Sequence, residues 1–308
     1  MASASRAQHP PVHPVLSSKL LGCLLATWLI WGSTYLAIRF ALVSLPPFFQ
    51  MGSRFVVAGG LLLIYTRYAR EPWPTLEQWR NALIVGGLML GCGMGLTAYA
   101  EQTVASGLVV VFIAVVPALT TMFGLPFGIR PSRIEVAGIA VALIGVLWLS
   151  RGNGFGGSLP GLLAMGAATC GWSLGSVLSQ QRLPLAPGAS GYCSEMICGG
   201  VLLLVTSAVT HEQVIWPPQP LAVAAWLYLV VFGSLIAFTA YMTLLGQARL
   251  AVSTSYCFVN PVVALLLGVT LGKESVAAHE WYAAAVVLLG VIILLLGKQA
   301  RTLGSDPR

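Results

Sequence analysis

Residues 249–274, RLAVSTSYCFVNPVVALLLGVTLGKE, decide the fold because they combine an apolar span with a proline at its centre. No charge occurs between residues 250 and 272. A helix needs roughly 20 residues to cross ~30 Å of hydrocarbon, so this stretch is long enough to span a bilayer. Pro261 removes a backbone donor in mid-span, which predicts a bend or break there and makes Pro261 a candidate hinge.

The same layout occurs earlier, at residues 105–127, ASGLVVVFIAVVPALTTMFGLPF. Pro117 lies in the middle of that stretch, 144 residues before Pro261. Each stretch is followed by a short charged turn and a Gly-containing apolar segment. We therefore predict that Pro117 is a second hinge and that the two stretches belong to an internal repeat.

Other pairs of positions support the repeat at nearly the same offset. Arg54 in GSRFVVAGGLLL corresponds to Glu195 in CSEMICGGVLLL, and Trp31 in IWGSTY corresponds to Trp172 in GWSLGS, both at an offset of 141. The offset drifts by only a few residues along the chain. The two halves are thus predicted to be two copies of one module.

Composition indicates an integral membrane protein. The 308 residues are 57% hydrophobic and 8% charged, whereas an ordinary soluble domain is about 25% charged. The net charge is +7, but the basic residues lie mostly in short loops and tails. They are typical of topology signals, so we expect the lipid bilayer as a partner and no nucleic acid.

The sequence offers no pattern for a cofactor, a metal or a catalytic centre. The six cysteines lie in apolar segments, as small core residues do, and no CxxC, HExxH or Walker A pattern occurs. The four histidines lie in the N-terminal tail or near loops, which disfavours a membrane-embedded enzyme. No segment resembles a selectivity filter, which disfavours a channel.

The predicted fold is all-α, with ten transmembrane helices that form a 5+5 inverted repeat around a central cavity. The predicted divisions are a disordered cytoplasmic tail (1–18), a first five-helix repeat (19–151), a second five-helix repeat (157–298) and a cytoplasmic tail (299–308). With both termini in the cytoplasm, twelve of the 16 Lys and Arg residues lie inside, as the positive-inside rule favours. Five spans per half require the second copy to insert upside down, an arrangement common in secondary transporters.

The sequence also resembles a known family. The features are WGSTYLAIR in the first helix, Pro47 ahead of Arg54 in the second, and SxSYxxxNPVVAxLLGxxLGxE in the ninth. Together they resemble the EamA family of the drug/metabolite transporter superfamily. The resemblance covers about residues 20–298 and implies alternating access, a bacterial inner-membrane location and, frequently, export of amino acids or other small metabolites. It does not specify a substrate.

Two intramembrane charges are the main functional candidates. A charge within a spanning helix is costly, so it normally faces protein or water and marks a pathway. We hypothesise that Arg54 and Glu195 both line the cavity, with Arg54 holding a carboxylate and Glu195 binding an amine or a proton. The alternative is that they pair structurally or, for Arg54, reach the interface.

The remaining candidates for substrate binding or coupling are polar or aromatic residues near mid-span or at a helix end: Trp31, Tyr35, Tyr99, Trp172, Ser255, Tyr256 and Asn260. Packing is an equally good account of the two tryptophans, and Asn260 could instead satisfy the carbonyl that Pro261 leaves free. Glu101 is interpreted as a solvated loop residue in preference to a gate.

The predicted function is a secondary active transporter that exports a small metabolite, with proton antiport as one option. The alternatives are an uncoupled facilitative carrier and a channel-like permease. The partner is a small-molecule substrate, and the sequence leaves open whether the protein is a monomer or a homodimer.

Overall fold

The computed structural model describes residues 17–104, 106–149, 157–270 and 277–297. The predicted tails therefore lie almost entirely outside the described residues. The described residues are helical, with turns between the helices, and the predicted all-α class is confirmed.

Ten helices follow one another in the described part of the chain when short interruptions are bridged: α1 Ser18–Leu42, α2 Pro47–Tyr68, α3 Leu76–Ala100, α4 Ser106–Ala114 with Val116–Gly124, α5 Arg133–Leu149, α6 Leu159–Gln181, α7 Ala189–Val209, α8 Pro220–Gln247, α9 Leu250–Ser253 with Tyr256–Thr270, and α10 Ala278–Leu296. Nine of them, all except α5, are long and apolar enough to cross a membrane. The described part of α5 has 17 residues, about 26 Å at ~1.5 Å per residue. The protein is a multi-pass membrane protein.

The α2–α7 and α5–α10 pairs join equivalent helices of the two halves. A Cβ placed on Gly52 of α2 would meet the Leu204 backbone at 2.8 Å, and one on Gly59 would meet the Cys193 carbonyl at 3.1 Å. Because the contact moves backward along α7 as it moves forward along α2, the helices are antiparallel. Small residues permit this close approach between membrane helices.

Helices α5 and α10 pack in the same antiparallel manner. A Cβ on Gly138 would lie 2.5 Å from the Leu294 nitrogen, and one on Gly145 would lie 2.7 Å from the Val287 nitrogen. Gly290 on α10 faces the α5 backbone equally closely. Equivalent helices of the two halves thus run in opposite directions, as an inverted repeat requires.

Two carboxylates cap helices reciprocally across the halves. Glu212, after α7, accepts hydrogen bonds from the backbone nitrogens of Phe48 (3.0 Å) and Phe49 (2.8 Å) at the start of α2. Glu71, after α2, accepts one from the Ser190 nitrogen (3.0 Å) at the start of α7. A carboxylate at a helix N-terminus satisfies otherwise unpaired donors and complements the helix dipole.

The backbone before these carboxylates repeats as well. Arg70 (φ 52°) and His211 (φ 54°) each adopt a left-handed conformation immediately before Glu71 and Glu212. A non-glycine residue seldom adopts this conformation, so its recurrence at one repeat offset indicates that both loops use the same local structure to place the carboxylate.

The third helix of each half contains a π-helical segment. It covers Gly87–Gly95 in α3 and Leu229–Phe238 in α8. π-Helical turns are rare in α-helices and are frequent at functional sites. Both segments lie at the level of the site described below.

The two candidate hinge prolines differ in their local effect. Helix α4 is interrupted at Val115, two residues before Pro117. By contrast, Pro261 lies inside the continuous helix Tyr256–Thr270, so of the predicted bend or break at this proline the break does not occur, and its role as a hinge stays a prediction. The interruption in α9 comes earlier, at Thr254 and Ser255.

Side-chain hydroxyls explain the position of that interruption. Ser253, Thr254 and Ser255 all direct their hydroxyls back to carbonyls of the preceding turn, at 3.2, 3.0 and 2.7 Å. Three consecutive residues of this kind compete with the regular backbone ladder and favour a bend.

Candidate functional site

A central cavity lies between the two halves. It has about 70 Å³ of space for the centres of water molecules, enough for a few waters. Sites for drug-sized ligands occupy ~300–1,000 Å³, so this cavity is contracted in the present conformation. Its lining comes from α1, α2, α3, α4, α6 and α9: Trp31, Thr34, Tyr35, Ile38, Met51, Arg54, Gly93, Met94, Thr97, Ile113, Val116, Ala168, Thr169, Trp172 and Tyr256.

Arg54 is the cation of this cavity, and it is 1% exposed. Its Nη2 approaches the Met94 sulfur at 3.3 Å, a weak acceptor, and its guanidinium lies 4.6 Å from the centre of the Phe55 ring. Nε and Nη1 have no hydrogen-bond partner, and no carboxylate lies within 4.0 Å of the guanidinium among the described residues. Arg54 is thus a buried cation with two unsatisfied nitrogen donors at the cavity wall.

Four aromatic side chains form a cluster on one side of the cavity. The ring of Trp31 lies 5.7 Å from Trp172, 5.2 Å from Tyr241 and 4.6 Å from Tyr256. Ser176 hydrogen-bonds the Tyr241 hydroxyl at 2.9 Å. Edge-to-face and tilted contacts at these distances hold the rings in defined orientations.

Both tryptophans contact the π-helical segment of the opposite half. The Trp31 indole donates a hydrogen bond to the Gly233 carbonyl in α8 at 3.2 Å. The Trp172 ring packs on Gly93 in α3, 3.0 Å from where a Cβ would lie. The repeat therefore places each tryptophan on the irregular part of the partner copy's third helix.

A wider, polar cleft opens beyond the aromatic cluster. It offers about 530 Å³ of space for water centres. Its lining includes Ser179 of α6, Leu245 of α8 and Ala251 of α9, which lie several residues from Trp172, Tyr241 and Tyr256 along the same helices. The aromatic cluster thus separates the cavity from this cleft.

One salt bridge lines the cleft. Arg249 Nη1 lies 2.5 Å from Glu135 Oε1, and its Nη2 donates to the Leu295 carbonyl at 3.2 Å. The contact links the start of α9 to α5 and to the end of α10. The carboxylate of Glu135 in the cleft lining is therefore paired.

Glu101 follows α3 at the opposite end of the cavity, and its placement corrects a prediction. Both carboxylate oxygens are buried without a hydrogen-bond partner, so the interpretation as a solvated loop residue is wrong. Burial raises the pKa of Glu101 to about 8, and the positive charges of Arg39 and Arg54 oppose the rise. Glu101 is therefore a half-buried residue whose carboxyl group is enclosed, within electrostatic range of the cavity's cation.

Glu195 does not line the cavity, contrary to the hypothesis that it joins Arg54 there. It is fully buried, and its two carboxylate oxygens have no hydrogen-bond partner among the described residues. It faces α3, where a Cβ on Gly86 would lie 3.4 Å from its Cγ. The π-helical segment of α3 begins at the next residue, Gly87, so Glu195 lies beside the place where that helix becomes irregular.

Two further candidates lie away from the cavity. Tyr99 is 37% exposed and stacks on Phe48, with ring centres 6.0 Å apart. Ser255 is buried, donates to the Val252 carbonyl and accepts from the Trp28 indole at 3.1 Å. Tyr99 therefore lies on the outward side of α3. Ser255 instead joins α9 to α1.

Asn260 joins the same two helices. With its amide oriented to suit its surroundings, its nitrogen donates to the carbonyls of Tyr256 and Trp28, each at 3.1 Å. Asn260 thus satisfies the Tyr256 carbonyl, which lies close to Pro261. It does not reach the carbonyl of Cys257, four residues before the proline, which is the one that the proline leaves without a backbone donor.

Of the predicted site residues, Trp31, Tyr35, Arg54, Trp172 and Tyr256 come together around the cavity. Sequence analysis missed the lining residues that lie one helical turn from these. Thr34 and Ile38 share a face of α1 with Trp31 and Tyr35, and Met51 precedes Arg54 by one turn. The 3.6-residue period was sufficient to predict these three.

Comparison with known proteins agrees with this architecture. The EamA-like transporter family matches residues 19–151 and 159–296, which together are most of the chain. This chain belongs to the EamA-like transporter family.

Two relatives of this EamA-like transporter come from Escherichia coli K12. The chain is 39% identical over 280 residues to the protein named "Uncharacterized inner membrane transporter YedA", covering 91% of each. It is 21% identical to the "Probable amino-acid metabolite efflux pump", covering 88% of this chain and 93% of that one. A solved crystal structure with 21% identity superposes with a TM-score of 0.74 over 91% of this chain and 96% of the other, which shows the same fold.

Proposed function

We propose that this transporter is a carrier that exports a small metabolite by alternating access, with the central cavity as the substrate site. The observation that carries the proposal is Arg54: a cation 1% exposed, with two unpartnered nitrogens, in a cavity that both repeats line. Keeping such a charge in the bilayer is costly, and a pathway role accounts for it.

The inverted repeat supplies a means of changing access. Each half carries a π-helical third helix, and each tryptophan packs on the opposite one. Rearranging these contacts would open the cavity to the cleft on one side, or to the end near Glu101 on the other. Inverted-repeat transporters alternate by moving one set of helices against the other around a fixed site.

We assign the cleft that the Glu135–Arg249 salt bridge lines to the cytoplasmic face, with both termini on that side and repeats at 19–151 and 157–298. The protein is then an inner-membrane protein with an aromatic inner gate. The proposal of outward transport draws on the efflux pump named among the relatives and on this orientation. The substrates we consider are amino acids and amphiphilic metabolites.

We further propose that Glu195 carries a proton in antiport. An unpaired carboxyl buried among helices is held neutral, so it gains and loses a proton only when water reaches it. Its place beside the start of the α3 π-helical segment would link that access to the movement of α3. An uncoupled facilitative carrier is the alternative.

Transport in proteoliposomes tests both parts. A carrier should show saturable counterflow, which Arg54→Gln abolishes and Arg67→Gln, at an exposed position, retains. A non-saturating flux would instead indicate a channel. Glu195→Gln should lose uptake driven by a pH gradient and keep counterflow, because exchange needs no net proton movement. Gradient-driven uptake unchanged in Glu195→Gln, but lost in Glu101→Gln, would move the proton site to Glu101.

A further inference from the structure

We infer that the substrate is an organic anion with a flat apolar body and one carboxylate, without an ammonium group. The inference rests on the proposed substrate site and narrows the compounds that it would accept. Neither the named relatives nor the intramembrane charges in the sequence point to this class, because Arg54 and Glu195 together suggest a zwitterion.

The charge balance around the cavity favours an anion. Arg54 lines the cavity, and Glu101 is the charge that acts on its guanidinium, whereas the exposed Arg39 acts on Glu101. The Glu101 carboxylate oxygens are buried without a hydrogen-bond partner, which favours the protonated form and leaves an excess positive charge at Arg54. A bound monoanion reduces this excess, whereas a zwitterion leaves it unchanged.

The cavity provides no partner for an ammonium group comparable to Arg54. None of the lining residues in the described part of the chain is acidic, and the carboxyl of Glu195 lies outside the cavity, facing α3. An ammonium near Arg54 would also meet a like charge at low dielectric, where repulsion is strong.

The threonine hydroxyls of the cavity are already used as donors. Thr34, Thr97 and Thr169 donate to carbonyls of their own helices at 2.8, 2.7 and 3.0 Å. The nitrogen donors without a partner in this lining are Arg54 Nε and Nη1 and the Trp172 indole Nε1, in a wall that is otherwise mostly apolar. A carboxylate, which accepts two parallel hydrogen bonds from a guanidinium, suits this arrangement.

The shape of the wall favours a flat apolar body beside that carboxylate. Trp31, Trp172 and Tyr256 line the cavity from three helices, and their rings contact one another directly or through Tyr241. Their ring faces and edges offer stacking contacts to an aromatic ligand.

A matched ligand series tests the inference on purified full-length protein in detergent. The ligands are 3-phenylpropanoate, L-phenylalanine, which adds an ammonium to the same skeleton, and phenethylamine, which carries the ammonium alone. Binding is measured by competition and by counterflow in proteoliposomes. The expected order places 3-phenylpropanoate at least about tenfold tighter than phenylalanine, with phenethylamine unbound.

Arg54→Gln should weaken 3-phenylpropanoate binding by about 30-fold or more, because it leaves a desolvated carboxylate unpaired. Its melting temperature should be maintained or raised, since an unpaired buried charge is removed, so loss of binding cannot be attributed to misfolding. Arg67→Gln, on the exposed part of the same helix, should bind as the wild type does.

Equal or tighter binding of phenylalanine or phenethylamine, dependent on Arg54, would overturn the substrate class and leave the carrier proposal intact. Binding of none of the three ligands would also overturn the class. The carrier proposal fails separately if Arg54→Gln transports whatever compound the wild type exports at an unchanged rate.

Discussion

Removing the carboxylate that caps α2 should destabilise the fold about twice as much as removing its counterpart at α7. Glu212 accepts two backbone hydrogen bonds, from Phe48 and Phe49, whereas Glu71 accepts one, from Ser190. The two carboxylates occupy equivalent places in oppositely oriented repeats. Comparing them therefore tests whether this reciprocal capping holds the halves together.

The magnitude follows from the number of bonds. A hydrogen bond to a charged group contributes ~1.5–3 kcal/mol, and loss of an N-cap costs ~0.5–2 kcal/mol. We expect Glu212→Ala to lose about 2–4 kcal/mol and Glu71→Ala about 1–2 kcal/mol. At roughly 2–4 °C per kcal/mol, the melting temperature falls by about 4–16 °C and about 2–8 °C respectively.

The assay is thermal unfolding in detergent, followed by exposure of the buried cysteines to a thiol-reactive dye. Glu77→Ala is the matched control because Glu77 is 71% exposed and reaches only Arg80, at 3.8 Å. Its melting temperature should change by less than about 1 °C, as for other surface substitutions. Equal shifts in all three variants, or a larger shift in Glu71→Ala than in Glu212→Ala, would refute the reasoning.

Three further predictions concern pH, packing and the cavity wall. Because the pKa of Glu101 is raised to about 8, its ionisation opposes folding: stability is greatest below the ordinary carboxyl pKa and falls as the pH rises toward 8. Glu101→Gln should flatten that fall in thermal scans between pH 5 and 8, and an unchanged slope would exclude Glu101 as its source. Gly290→Ala should lower the free energy of unfolding by about 1–3 kcal/mol, since its Cβ would lie 2.3 Å from the Ala142 nitrogen. Gly166→Ala is the control and should be neutral or stabilising, because its Cβ would have nothing within 4 Å. Similar melting temperatures for the two variants would contradict the α5–α10 packing. Trp172→Ala should weaken substrate binding about tenfold and Tyr99→Ala should leave it unchanged, as measured by competition binding; a larger effect at Tyr99 would contradict the placement of the site.

Hydrophobic composition and the offsets of repeated residues were sufficient to predict the helical fold. An offset of 141 paired Trp31 with Trp172 and Arg54 with Glu195, and all four are buried in the structure. An odd number of spans per half required opposite insertion, and the antiparallel α2–α7 packing has that direction. These features follow from periodicity and from bilayer thickness, which act on the sequence directly.

The position of the break in α9 and the π-helical segments could not be predicted in this way. Pro261 signals a bend, yet Thr254 and Ser255 interrupt the helix because their hydroxyls compete for backbone carbonyls. In α3, the glycines of the π-helical segment Gly87–Gly95 have the spacing of an ordinary packing motif. Gly93 and Gly95 of this segment pack closely against Trp172 and Leu203 of the opposite repeat, and a single sequence does not reveal such contacts.

The surroundings of the acidic residues could likewise not be predicted from the sequence. Glu101 follows a helix end, where solvent is the usual neighbour, but tertiary packing buries its carboxylate oxygens. Glu195 was assigned to the cavity by its equivalence to Arg54. The inverted arrangement does not make equivalent side chains point into one space, because the helices beside them differ.

The central claim is that the Arg54 cavity is a substrate site reached from each side of the membrane in turn, and Thr97 allows the most direct test. Thr97 lines the cavity on α3, and Thr97→Cys can be introduced into a background whose six native cysteines are replaced by alanine. Membrane-impermeant maleimides are then applied to right-side-out and inside-out vesicles. We expect labelling from both sides, with substrate protecting against both; labelling from one side only, unaffected by substrate, would contradict the account.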